Sequence, residues 1–98
     1  MNARGQTVAQ VLGGFEAHLT HERGRSQNTV RAYLSDIESL FLSLGAGAEA
    51  DGASALAELD LAALRAWLAA QGARGAAHST LARHAAAART FCGWARRE

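Results

Sequence analysis

The stretch RGRSQNTVRAYLSDIESLFLSLG, residues 23–45, decides the fold class. From Val30 onward its apolar positions recur as Val30, Tyr33, Leu34, Ile37, Leu40, Phe41 and Leu44. That three- and four-residue spacing puts them on one face of a helix, and it never falls into the alternation of a strand. Ser26 supplies the N-cap oxygen and Gly45 follows the end. The start of this helix is unusual. A first turn carries partial positive charge and normally attracts Asp or Glu. Here it offers Gln27, Asn28 and Thr29, with Arg23 and Arg25 before them and Arg31 after. An anion from outside the chain would complete such a start. At about 100° per residue, Asn28, Arg31 and Ser35 fall on the side away from the apolar stripe.

Working outward, residues 7–23 predict a first helix. Thr7 with Gln10 forms a capping box. Val8, Val11, Leu12, Phe15 and Leu19 make its stripe, and Gly24 stops it. The pair Gly13-Gly14 either weakens this helix or admits a neighbouring backbone. Residues 45–58, GAGAEADGASALAE, are small, flexible and acidic, and they predict a mobile loop with at most a frayed turn near its end. Asp60 can cap a short third helix over 61–71 that buries Leu61, Leu64 and Leu68, with Gly72 after it. After the loop GARGAA, a fourth helix is expected over 78–97. Leu81, Ala85, Ala88, Phe91, Cys92 and Ala95 form its inner side, while Arg83 and Arg97 point the other way. The expectation is an all-α domain, a compact bundle of four principal helices.

The bulk numbers agree with that expectation. Ninety-eight residues make one small domain, taken here as residues 1–98. Hydrophobic content is 49% but aromatic content only 6%, so the core is mostly Leu, Ala and Val. Proline is absent, as suits helices. A single Cys92 excludes an intrachain disulfide and fits a reducing cytoplasm. No apolar run reaches the roughly 20 residues of a membrane span, and the N-terminus lacks a secretory pattern.

The net charge of +1 hides a separation. Residues 23–35 hold three Arg and no acid, residues 36–60 six acids and no Arg, and residues 61–97 six Arg and no acid. Uneven charge in a small helical domain serves solubility, and clustered Arg is also the footprint of a polyanion partner. The two long helices open alike, GRSQNTVRAY and GAAHSTLARH, each with Gly, a polar turn containing Thr, an apolar residue and an Arg. Two such starts could grip one duplex together.

With the helices placed, three segments carry a resemblance: FEAHLTHERGRSQNTVRAYLSDIESLFLSL, LDLAALRAWLA and RGAAHSTLARHAAAARTFCGWARRE. Their ordered positions are Phe15, Leu19, Ser26, Thr29, Val30, Tyr33 and Asp36, then Leu64, Arg65, Trp67 and Leu68. Thr80, Leu81, Arg83, Arg89, Phe91 and Trp94 follow. As a set they resemble the N-terminal core-binding, SAM-like domain of tyrosine recombinases, the phage-integrase family with its XerC and XerD group. The chain departs from relatives at Ala76 and Ala77, which remove a cap before the fourth helix. It departs again at Ala85, Ala88 and Ala95, where relatives carry Leu, and in a longer 45–58 loop.

The resemblance implies a DNA-binding module of a site-specific recombinase of XerC type, acting in strand exchange, chromosome dimer resolution or integration. It implies half of a C-shaped clamp round duplex DNA, with the second and fourth helices at the major groove. The family's Tyr nucleophile and its Arg, Lys and His partners lie in a separate C-terminal domain, so this chain alone is expected not to be an enzyme. Other recombinase protomers in a DNA-bound tetramer are the further partners implied. The setting implied is the bacterial cytoplasm at the nucleoid, with no cofactor, no membrane and no small-molecule substrate.

Resemblance and helical geometry together nominate Arg25, Gln27, Asn28, Thr29 and Arg31 at one start, and Arg74, His78, Ser79, Thr80, Arg83 and Arg89 at the other, as DNA-binding residues. Arg forms paired bonds to phosphate or guanine, and Asn and Gln can pair with adenine. Ser26 serves as a cap, and Thr29 can instead satisfy backbone. Arg31 and Arg83 are expected to be removable without loss of stability, with Arg65 as a control. His18 and His21 sit three apart but lack further ligands, so no metal site is expected and the histidines read as surface residues. Tyr33, Trp67, Trp94 and Cys92 read as packing residues. A helical protein–protein module without DNA binding is the rival reading, and an independent enzyme is disfavoured by the missing catalytic set.

Overall fold

The computed structural model describes residues 5–22 and 24–97. Its helices are α1 (Val8–His21), α2 (Gln27–Ser43), α3 (Gly52–Ala57), α4 (Leu61–Ala73) and α5 (His78–Arg97). The four principal helices stand where the apolar stripes put them, and the all-α class holds. Among the described residues the only bridge pairing is the isolated contact Thr7 to Asp51. Residue 23, the expected end of the first helix, lies outside the described residues. The described helix closes at a Glu22 cap whose N–H bonds to the carbonyls of His18 and Leu19.

The caps were legible. Thr7 and Gln10 form the capping box, Ser26 accepts from Thr29 N–H, and Asp60 accepts from Ala63 N–H. Helix α5 follows Ala77 with no side-chain cap among the described residues, as Ala76 and Ala77 imply.

The core joins Val8, Val11, Phe15 and Leu19 of α1 to Val30, Ile37, Leu40 and Phe41 of α2, and to Ala87, Ala88, Phe91 and Trp94 of α5. Trp67 is the one buried residue of α4. At its centre the Phe91 ring meets Phe15 edge-on at 5.0 Å and Phe41 edge-on at 5.6 Å. Aromatic edges against faces add to the area buried, which matters where the rest of the α5 face is alanine.

Three expectations are corrected. Helix α4 runs through Gly72 to Ala73, and the stop falls at Gly75, whose φ of 90° is left-handed backbone that glycine adopts freely. Leu61, expected inside, is 59% exposed, because it lies in the first turn of α4. The inner face of α5 is turned from the one expected. Its buried residues are His84, Ala87, Ala88, Phe91 and Trp94, with Leu81, Ala85, Cys92 and Ala95 shallower. A run of alanines gives a weak direction, and the bulk of His84 and Trp94 decides the rotation.

The segment 45–58 is more ordered than its composition suggests. Carbonyls of Ala50 and Ala48 accept from Val8 N–H and Ala9 N–H, both at 2.9 Å, and Gly52 N–H donates to the Gln6 carbonyl at 2.7 Å. The first two of these bonds satisfy the first donors of α1, which otherwise lack partners. Asp51 caps the short α3, accepting from Ser54 N–H and Ser54 hydroxyl, and those two bonds lower its pKa. Gly52 is buried because the turn presses on α1: a Cβ there would lie 2.8 Å from Val11 Cγ2 and 2.9 Å from the Gln6 carbonyl oxygen. Gly52→Ala is therefore expected to cost about 1–3 kcal/mol, read as a lower midpoint in urea denaturation. A midpoint equal to that of the unsubstituted chain would mean this docking is not held in solution.

Candidate nucleic-acid interface

Two contacts fix the sense of α2 against α5. Asp36 meets His84, and further along both helices Phe41 meets Phe91. The helices therefore advance together and their N-termini lie at one end. Helix α4 runs the other way along α5: Trp67 stacks on His84 at 5.0 Å, and Gly72 faces Leu81. Its end, with Arg74, thus joins the same end as the start of α5. Three cationic termini converge there.

At the start of α2, Gln27 and Asn28 are exposed and Thr29 is half-buried. Ser26 hydroxyl donates to Thr29 Oγ1 at 3.0 Å, so both side chains are engaged in the cap. Arg31 is exposed, and its Nη2 donates to Asn28 Oδ1 at 3.0 Å. Arg25 lies with its guanidinium 5.4 Å above the Tyr33 ring, and its Nε is buried without a partner. Stacking on an aromatic face holds the cation in place without using the donors of its fork.

At the start of α5, Arg74, His78 and Ser79 are exposed and Thr80 half-buried. Arg83 departs from the expectation that it projects freely. Its Nε donates to Asp36 Oδ2 at 2.9 Å and its Nη2 to Asp36 Oδ1 at 2.8 Å. Asp36 is 3% exposed and Arg83 44%. The hydrogen bonds to Asp36 hold the guanidinium above its usual pKa. His84, expected at the surface, is buried instead, with Nε2 3.2 Å from Asp36 Oδ1 and Nδ1 without a partner. Trp67 Nε1 donates to Ser39 Oγ at 3.3 Å beside it. The polar cluster Asp36–Arg83–His84 thus joins α2 to α5. Sequence reading counted Asp36 in an acidic block and missed its partner. The available signal was that Asp36 and Arg83 both belong to the resemblance-bearing set.

Arg89 is not part of this end. At about 100° per residue it lies roughly 120° round α5 from Arg83. It lines an apolar groove of about 750 Å³ between α4 and α5, together with Leu61, Leu64, Arg65 and Arg96. The proposed control Arg65 and the candidate Arg89 therefore share one surface. Cys92 lines the same groove, and burial pushes its thiol pKa up.

Among the described residues no group of His, Cys, Asp or Glu is placed to hold a metal ion, and no helix is long and apolar enough to cross a membrane. His18 lies 3.2 Å from Glu22 and against Phe15 and Trp94.

Comparison of the sequence with known proteins matches it to a family. The description of the phage integrase N-terminal SAM-like domain fits residues 12–98. Tyrosine recombinase XerC of Mycobacterium sp. (strain JLS) is 48% identical over 88 residues, which is 90% of this chain and 28% of that protein. Tyrosine recombinase XerC of Mycobacterium tuberculosis (strain ATCC 25177 / H37Ra) is 46% identical over 85 residues, 87% of this chain and 27% of that protein. The chain spans little more than a quarter of the length of these curated relatives. No solved structure matches it. With residues 12–98 matched by that description and 87% or more of its length aligned to proteins named tyrosine recombinase XerC, the chain belongs to the phage integrase N-terminal SAM-like domain family.

Proposed function

We propose that this domain grips duplex DNA for a XerC-like tyrosine recombinase, with the starts of α2 and α5 toward the duplex. The observation that carries the reading is the convergence, at one end, of two acid-free helix starts and the end of α4, with Arg25, Arg31, Arg74 and Arg83 around them. Helix N-termini and Arg together suit phosphate, and the exposure of Asn28 and Arg31 supports a role for them at base edges. The Arg83 N–H groups that Asp36 does not take add further donors. Strand exchange, dimer resolution or integration, and the other protomers of a tetramer at the nucleoid, belong to the longer protein in this reading. The chain itself is proposed to bind DNA without cutting it. Its only tyrosine, Tyr33, is half-buried beneath Arg25.

Binding to a labelled mixed-sequence duplex tests this by its salt dependence. About four phosphate contacts would lower affinity roughly 100-fold between about 50 and about 200 mM salt, from a dissociation constant of roughly micromolar or weaker at physiological salt. The rival reading, a protein–protein module using the α4–α5 groove, expects no such slope. A flat profile, or no binding at low salt, would remove the DNA reading. Covalent capture of a nicked duplex by this chain would remove the claim that it does not cut.

A further inference from the structure

An arginine has five N–H donors, and Asp36 takes two of those on Arg83, the Nε and Nη2 pair along one side. No other hydrogen bond to Arg83 is present among the described residues. Of the remaining three, one on Nη1 and the second on Nη2 form the end-on edge of the fork, the other Nη1 hydrogen points back toward Cδ, and the side chain is 44% exposed. The carboxylate is fixed in turn: it is 3% exposed, sits on the third turn of α2, and has His84 on its other flank, with that imidazole held against Trp67. A free arginine loses considerable rotamer entropy when it binds an anion, whereas a clamped one has lost it already.

We propose that Asp36 is a positioning residue: it buttresses Arg83 so that the free edge of the guanidinium is presented, preformed, to a DNA phosphate or a guanine edge. This rests on the DNA-binding reading and adds to it. Asp36 never touches DNA. It acts through Arg83, and it couples the two helix starts because the acid belongs to α2 and the base to α5. The fork has geometry for both partners at once, carboxylate on the side and a bidentate anion or guanine on the end.

The test is a double-mutant cycle on affinity for a labelled mixed-sequence duplex at low salt, using the full 98-residue chain. Asp36→Asn replaces one acceptor with a donor that faces the guanidinium N–H groups, so the clamp is lost with little change of shape. Affinity is expected to fall about 5- to 10-fold. In an Arg83→Ala background the same change is expected to have no further effect, because nothing remains to be positioned. Equal losses in both backgrounds would show a merely structural role and overturn the proposal. So would an unchanged affinity in a folded Asp36→Asn variant or in a folded Arg83→Ala variant. If the unsubstituted chain does not bind duplex at all, the DNA reading itself falls, which is a different outcome from binding without coupling. A measurement on the unsubstituted chain keeps the idea testable should the variants not fold. In nitrogen-15 spectra the Arg83 Nε–H is expected to remain hydrogen-bonded as duplex is added while the Nη signals move. Loss of the Nε–H signal, or Nη signals that stay in place while DNA binds, would overturn it.

Discussion

Phe91→Ala is expected to cost about 3–5 kcal/mol, against a total stability of about 5–15 kcal/mol for a domain this size. The residue is fully buried, and its ring is the common neighbour of Phe15, Phe41 and Trp94. On the rest of the α5 inner face the buried side chains near it are Ala87 and Ala88, which are too short to close the space a missing phenyl ring would leave. Helices α1 and α2 both meet α5 through that ring, so the cavity would open where three helices join. Urea denaturation followed by far-ultraviolet circular dichroism reads the loss as a large drop in midpoint, with a substantial unfolded fraction at physiological temperature. A cost below about 1 kcal/mol would mean the aromatic cluster is not packed as described.

That cluster also shows where the sequence was informative. Phe15, Leu19, Ile37, Leu40 and Phe41 are large apolar residues at helical spacing, and each lies inside where the spacing puts it. The caps Thr7, Ser26 and Asp60 are side-chain signals and were equally readable. The segment 45–58 was not, because carbonyls of Ala48 and Ala50 hold it to α1, and a backbone carbonyl has no letter in the sequence. The rotation of α5 was hidden for a related reason: four consecutive alanines, Ala85 to Ala88, carry almost no preference for inside or outside. At the candidate interface the cationic residues and the missing acids in both helix starts were legible, and so was their likeness to one another. The destination of each guanidinium was not. An arginine in a sequence reads the same whether it meets solvent, an aromatic ring as Arg25 does, or a buried carboxylate as Arg83 does.

Arg31 and Arg83, which a count of charges treats alike, are therefore expected to separate when each is replaced by alanine. Arg31 is exposed and bonds Asn28 one turn away on the same helix, an exposed pair whose loss falls within about 0.5 kcal/mol. Arg83 supplies two charge-assisted bonds to an acid that is 3% exposed. Removing it leaves that carboxylate buried with only His84 beside it. Hydrogen bonds to charged groups contribute about 1.5–3 kcal/mol, and because Arg83 is 44% exposed, solvent screening reduces this to about 1–2 kcal/mol. In a domain of this length that is a fall in melting temperature of roughly 4–16 °C. DNA affinity follows a different pattern under the proposed function, since both changes weaken it. Loss of a base contact at Arg31 would relax specificity at one position, and loss of a phosphate contact at either residue would weaken all sequences alike. Arg65→Ala, on the α4–α5 groove, should leave both quantities near their starting values, whereas Arg89→Ala on that same groove would lower affinity only if the groove also faces DNA. Thermal melts and duplex titrations of the four single variants decide it: equal melting temperatures for Arg31→Ala and Arg83→Ala would show that the Asp36 clamp does not exist in solution.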